Sequence, residues 1–153
     1  MPAAFFIKRT HTEDPDFISL IRQLDHELWN ELQEDQATYD PFNNVAGMPN
    51  AIVLYDNDIP VASGCLKKIN TQRAELKRMF VQKAYRGLGL SKKVLKELET
   101  WAAEMNFREL VLETSVHFNT AKKLYLGAGF TIIQNYPPYV GLEDSVCMKK
   151  SID

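Results

Sequence analysis

The sequence predicts an α/β (α+β) fold with a mixed central sheet of about six to seven strands and helices on both faces, in a single domain over residues 1–153. Three observations predict it. Two long segments, near residues 14–36 and 90–107, repeat apolar residues every three to four positions, as an amphipathic helix must. Between them lie three β-type runs separated by turn residues. A strand–helix–strand pattern then covers residues 74–114, which calls for a parallel pair joined by a right-handed crossover.

In order, "AFFIKRT" reads as the first strand. "DPDFISLIRQLDHELWNELQEDQ" reads as a helix, with Phe17, Leu20, Ile21, Leu24, Leu28 and Leu32 on one face. Asp14 can accept from the first free amides, and Pro15 suits the first helical position. "TYDPFNNVAGMPN" is a loop with room for a short helical turn. "AIVLYDNDIPVASGCLKKI" is a hairpin turning within "YDNDIP". "RAELKRMFV" alternates, with Leu76, Arg78 and Phe80 on one side and Glu75, Lys77, Met79 and Val81 on the other. "LSKKVLKELETWAAEMNF" is the second long helix, burying Val94, Leu95, Leu98, Trp101, Ala102 and Met105. Then come a strand, "ELVLETSV", a short helix, "NTAKKLYLGAG", and two strands, "FTIIQNY" and "EDSVCMKK", parted by the loop "PPYVGL".

Composition narrows the function classes. The chain is 45% hydrophobic and 25% charged, as in ordinary globular proteins, with no repeat or low-complexity tract. The opening residues lack the pattern of a secretory signal, and no 18-residue apolar run could span a membrane. Cys65 and Cys147 stand alone in strand-like runs, which suggests buried free thiols in a reducing, cytoplasmic setting, and no metal spacing is present. The net charge of −2 hides two poles. Residues 13–40 carry nine acids against Arg22, and residues 67–96 carry ten bases against Glu75. One pole suits an anion and the other a cation. Either could also be a solvated helix face. A pI near 5.9 without basic–aromatic stacking speaks against nucleic acid.

Inside the basic pole lies "RGLGLS", a glycine turn at the mouth of a helix. The first amides of a helix lack internal acceptors and carry partial positive charge. Gly87 and Gly89 let an anion approach the backbone, and Lys83, Arg86, Lys92 and Lys93 add full charges. The turn is therefore a phosphate cradle or, more plainly, a strand-to-helix connection. It lacks the Walker lysine, and Lys92 stands where a dinucleotide-binding turn has its third glycine.

This turn resembles the pyrophosphate-binding motif R/Q-x-x-G-x-G/A of the GNAT N-acetyltransferases, with Arg86, Gly89 and Ser91 at the motif positions. The resemblance covers nearly the whole chain in element order and is sharpest from Glu75 to Phe130. It implies an acyl-CoA N-acyltransferase fold, acetyl-CoA as co-substrate and transfer of its acetyl group to a primary amine. Phe80, Val81, Arg86, Gly87, Leu88, Gly89, Leu90, Ser91 and Lys92 would contact the cofactor, together with Asn119. The pantetheine arm would run between the strands ending near Val81 and Thr114, with a strand irregularity near Phe80–Val81 offering amides to the thioester oxygen.

"TAKKLYLGAGF" is similar to the family pattern A-x-x-L-Y-x-x-x-G-F through Ala121, Leu124, Tyr125, Gly129 and Phe130. The resemblance implies that Tyr125 is the general acid for the departing thiolate; its plainer role is packing. Asn119 lies one place later than the asparagine common in relatives. Glu75, eleven residues before Arg86, has the spacing of the family's strand glutamate base, with Glu113 or a water chain as alternatives. It could instead pair with Lys77 or Arg73. Asp25, Glu31, Asp35 and Asp40 are candidates for drawing in a cationic acceptor, and Tyr136 and Tyr139 for overhanging the same cleft. Partners would be a small-molecule or peptide amine, with no nucleic acid or membrane and no metal, for a monomer or homodimer. The competing reading is a non-catalytic acyl-CoA-binding sensor module, which needs the cradle but not Tyr125.

Overall fold

The computed structural model describes residues 4–32 and 44–152, the side chains of 30–32 excepted. They fall into two compact units, Met1–Lys67 with Lys77–Leu98, and Lys68–Leu76 with Glu99–Asp153.

The first unit contains β1 (Phe5–Thr10), α1 (Pro15–Leu32), β2 (Asn50–Asp56), most of β3 (Ile59–Lys68), the second half of β4 (Arg73–Val81) and the start of α2 (Leu90–Glu104). β1, β2 and β3 form an antiparallel meander, with Phe5 opposite Asp56 and Ala51 opposite Cys65. The hairpin turns at Asn57, whose φ of 52° is one that asparagine tolerates. α1 begins as the sequence dictates. The Asp14 carboxylate accepts from the Asp16 amide at 2.9 Å, and the Asp14 carbonyl accepts from Ile18 at 2.9 Å.

Strand alternation places helices on both faces of this unit. Phe17 and Leu20 of α1 pack on Ala51, Val53, Tyr55, Cys65 and Phe80. Each such fully buried side chain contributes roughly 1.5–3 kcal/mol. On the opposite face α2 approaches Gly64, where a Cβ would stand 2.6 Å from Met79 Sδ, 2.9 Å from Leu98 and 3.0 Å from Val94. A glycine inside a strand here permits close helix packing.

β4 is extended as expected, with Phe80 on the α1 face and Met79 toward Gly64. Its irregularity lies at Arg78, which takes a left-handed φ of 57°, two residues before the expected position. That conformation costs a non-glycine residue about 1–2 kcal/mol.

The second unit contains the first half of β4, the end of α2, β5 (Glu109–Ser115), α3 (Asn119–Gly127), β6 (Thr131–Ile133) and β7 (Ser145–Ser151). β4 and β5 run parallel, pairing Arg73–Glu75 with Glu109–Val111. β7 is antiparallel to both β5 and β6. The strand order is β1-β2-β3-β4-β5-β7-β6, a seven-stranded mixed sheet. β6 stops at Ile133, three residues short of the expected end. The Asn135 amide instead donates to the carbonyls of Tyr139, Leu142 and Ser145 at 3.2–3.3 Å, which closes the following loop on itself. Cys65 and Cys147 are buried free thiols. Among the described residues no helix is long and apolar enough to cross a membrane.

Candidate active site

The glycine turn lies in the first unit. β4 ends at Val81, one helical turn follows at Lys83–Tyr85, and α2 starts at Leu90. Gly87 and Gly89 both have left-handed backbones, with φ of 83° and 78°. A Cβ on either would meet nothing within 4 Å. The requirement for glycine is thus conformational, and the space over the turn is open. The first intrahelical bond runs from the Lys93 amide to the Gly89 carbonyl at 3.3 Å. The amides of Leu90, Ser91 and Lys92 therefore precede any intrahelical acceptor and carry the positive end of the helix dipole. Lys83 and Lys92 are exposed beside them, Leu88 is exposed, and Phe80, Val81 and Leu90 are buried.

Arg86 is less free than the sequence suggests. Its guanidinium pairs with Glu27 at 2.6 Å, donates to the Val81 carbonyl at 2.9 Å and lies 5.9 Å from the centre of the Phe80 ring. It therefore ties the turn to α1 while retaining further N–H donors. Arg78 likewise pairs with Asp25. The acidic and basic poles thus meet through two ion pairs, which engage one carboxylate oxygen each of Asp25 and Glu27. The Glu31 side chain, Asp35 and Asp40 lie outside the described residues.

The second unit collects a buried polar cluster. Glu75 is 2% exposed and accepts from the Tyr136 hydroxyl at 2.6 Å. Arg73 pairs with Glu109 at 2.5 Å. Tyr139 is buried with its ring edge-on to Tyr136, centres 5.5 Å apart. Burial, reinforced by the Glu75 charge, holds both phenols protonated well above the usual range. Burial also pushes the Cys147 thiol up to about 11. Glu113 accepts from the Ser145 hydroxyl at 2.7 Å.

Sequence reading placed Tyr136 and Tyr139 over an acceptor cleft and missed Tyr136 as the partner of Glu75. The two are 61 residues apart, and no local pattern marks the pairing.

Tyr125 is buried on α3, edge-on to Phe130 at 5.8 Å, and burial raises its phenol above the ordinary value. Asn119 is exposed at the start of α3, where Phe118 occupies the cap position without a side-chain bond. Among the described residues no cluster of three or more His, Cys, Asp or Glu could hold a metal.

The acetyltransferase (GNAT) family profile matches residues 15–130. An uncharacterized N-acetyltransferase of Bacillus subtilis is 29% identical over 100 residues, covering 64% of this chain and 66% of its own length. An acetyltransferase of Streptococcus pyogenes is 33% identical over 86 residues, covering 56% of each chain. The chain thus spans less than two thirds of these curated relatives. Among solved structures, an acyl-CoA N-acyltransferase from Klebsiella pneumoniae superposes with a TM-score of 0.82 at 25% identity, over 99% of this chain and all of its own. The PaiA N-acetyltransferase of Thermoplasma acidophilum, solved with coenzyme A, gives a TM-score of 0.74 at 15% identity, over 97% of this chain and 99% of its own, a likeness of fold. With the profile covering most of its length, the chain belongs to the GNAT acetyltransferase family.

Proposed function

We propose that the protein transfers the acetyl group of acetyl-CoA directly to a primary amine, and that both compact units serve this one reaction as a single catalytic domain. The observation that carries this reading is the turn 86–91: two left-handed glycines under open space at a helix start, flanked by exposed lysines. That arrangement suits a pyrophosphate, because backbone amides bind oxygens that side chains would otherwise crowd out. Family membership makes coenzyme A the ligand to expect there.

The chemistry requires a neutral amine, whose lone pair attacks the thioester carbonyl, and a proton for the sulfur as the C–S bond breaks. Tyr125 fits the proton donor, since a phenol holds its proton at neutral pH and can give it to a departing thiolate. Glu75 fits the acceptor of the ammonium proton, directly or through water. Tyr136 fixes one of its oxygens, so the carboxylate has a defined orientation before substrate arrives.

The test is acetyl-CoA turnover against a panel of amines, read as thiol release. Amine-dependent release supports the reading. Tight coenzyme A binding with no turnover on any amine would favour the sensor module instead.

A further inference from the structure

Arg78 is an expensive residue that the proposed chemistry does not use. It sits mid-strand with a left-handed φ of 57°, and its side chain is 3% exposed. Its backbone is held by the Ser63 hydroxyl, which donates to the Arg78 carbonyl at 3.1 Å. The guanidinium has Asp25 as its ion-pair partner, and among the described residues its Nε finds no acceptor. A buried guanidinium with donors to spare is costly unless another acceptor joins it.

Arg78 is among the residues that line an open cavity of about 630 Å³ in the first unit, between α1 and residues 44–46. Phe17, Ile21, Trp29 and Val45 supply apolar wall. Trp29 is half exposed. Asp25, also half exposed, stands beside Arg78 at the cavity wall. Glu13, the other acid of the lining, already accepts from the Gly47 amide at 2.8 Å. His26 adds a further titratable group.

The cavity thus offers a buried cation and an adjacent half-exposed anion, set against an apolar wall. An α-amino acid has the complementary form, with carboxylate and ammonium on one carbon and a side chain beside them. We propose that this cavity binds an apolar α-amino acid, its carboxylate on Arg78, its ammonium toward Asp25 and its side chain against Phe17, Ile21 and Trp29. The inference rests on the acetyl-transfer reading only in making this amino acid the acceptor. The cation favours a carboxylate-bearing ligand, whereas the acidic pole alone would suggest a simple cationic amine.

Calorimetry on the full chain without coenzyme separates the two claims. L-leucine and L-phenylalanine are titrated against their amides, which keep the ammonium and side chain but lack the carboxylate. At least one acid should bind at least tenfold more tightly than its amide, as expected when a charged acceptor is removed from a buried donor. Arg78→Met keeps an apolar stem but removes the charge, and should abolish that preference. Arg78→Lys keeps the charge and should retain part of it. Since the comparison of acid with amide uses unaltered protein, a poorly folding variant leaves the test intact. Equal affinity for acid and amide, or binding of neither amino acid, overturns the proposal. Carboxylate-selective binding in a protein that releases no thiol from acetyl-CoA would sustain it and reject the proposed function.

Discussion

At the scale of single residues, substitutions can distinguish a group that carries a proton from one that holds shape. Tyr125→Phe keeps the ring against Phe130 and removes the proton. We expect kcat to fall by roughly 10²-fold with KM for acetyl-CoA little changed, the usual size of lost acid assistance; undiminished kcat makes Tyr125 a packing residue. Glu75→Gln should reduce kcat by roughly 10²-fold or more. Tyr136→Phe should lower kcat less, because it loosens the carboxylate without removing it. A Tyr136→Phe loss matching that of Glu75→Gln would point to Tyr136 itself as a proton carrier. As candidates, Glu75 and Tyr125 were legible because each stands in a short pattern at fixed spacing. Tyr136 was not, since its hydroxyl reaches Glu75 only after the chain has folded across 61 positions. Arg78 was hidden for the same reason: alternation gives its face, but neither its left-handed backbone nor its pairing with Asp25, 53 residues away, has a local signature.

At the scale of elements, two glycines make opposite predictions. Gly64→Ala places a Cβ within 3.0 Å of the Met79, Leu98 and Val94 side chains, so β3 and α2 must separate. Overpacking of this kind costs about 1–3 kcal/mol. Tm should fall while the affinity of the remaining folded protein for coenzyme A stays unchanged. Gly89→Ala meets no neighbour but must hold φ near 78°. It should weaken coenzyme A binding, by calorimetry, more than it lowers Tm. The reverse pattern would remove the turn from the binding account. Helices, hairpin and parallel crossover were legible because their periods of 3.6 and 2 are set by backbone geometry. β6 was overrun because "QNY" has strand-like neighbours, and only the folded loop reveals that Asn135 spends its amide on three carbonyls.

At the scale of the whole molecule, the charge poles and the buried acids set the solution behaviour. Asp25 and Glu27 are tied to Arg78 and Arg86, so the acidic helix is less available for steering than its −8 segment suggests. Alkali should be the weak side of stability. Burial raises the Cys147 thiol from 9.0 to about 11, so between those values the unfolded chain releases a proton that the folded chain keeps. That stability is fully present below pH 9 and is lost as pH rises through 11. The buried tyrosines, whose protons are also held up, add the same sign at still higher pH. From neutral pH, melting curves should be level up to pH 9 and fall beyond it, with a shallower fall for Cys147→Ser; a level curve to pH 11 would contradict the burial argument. The central claim, acetyl transfer from a cofactor held on the turn at 86–91, is tested most directly by incubating the full chain with acetyl-CoA and an amine panel, amino acids included. Thiol release and acetylated amine are measured together by absorbance and mass spectrometry. The account predicts equimolar thiol and N-acetyl product, both abolished when either substrate is omitted and both reduced in Tyr125→Phe. Thiol release without acetylated amine, or no release with any amine, would contradict it.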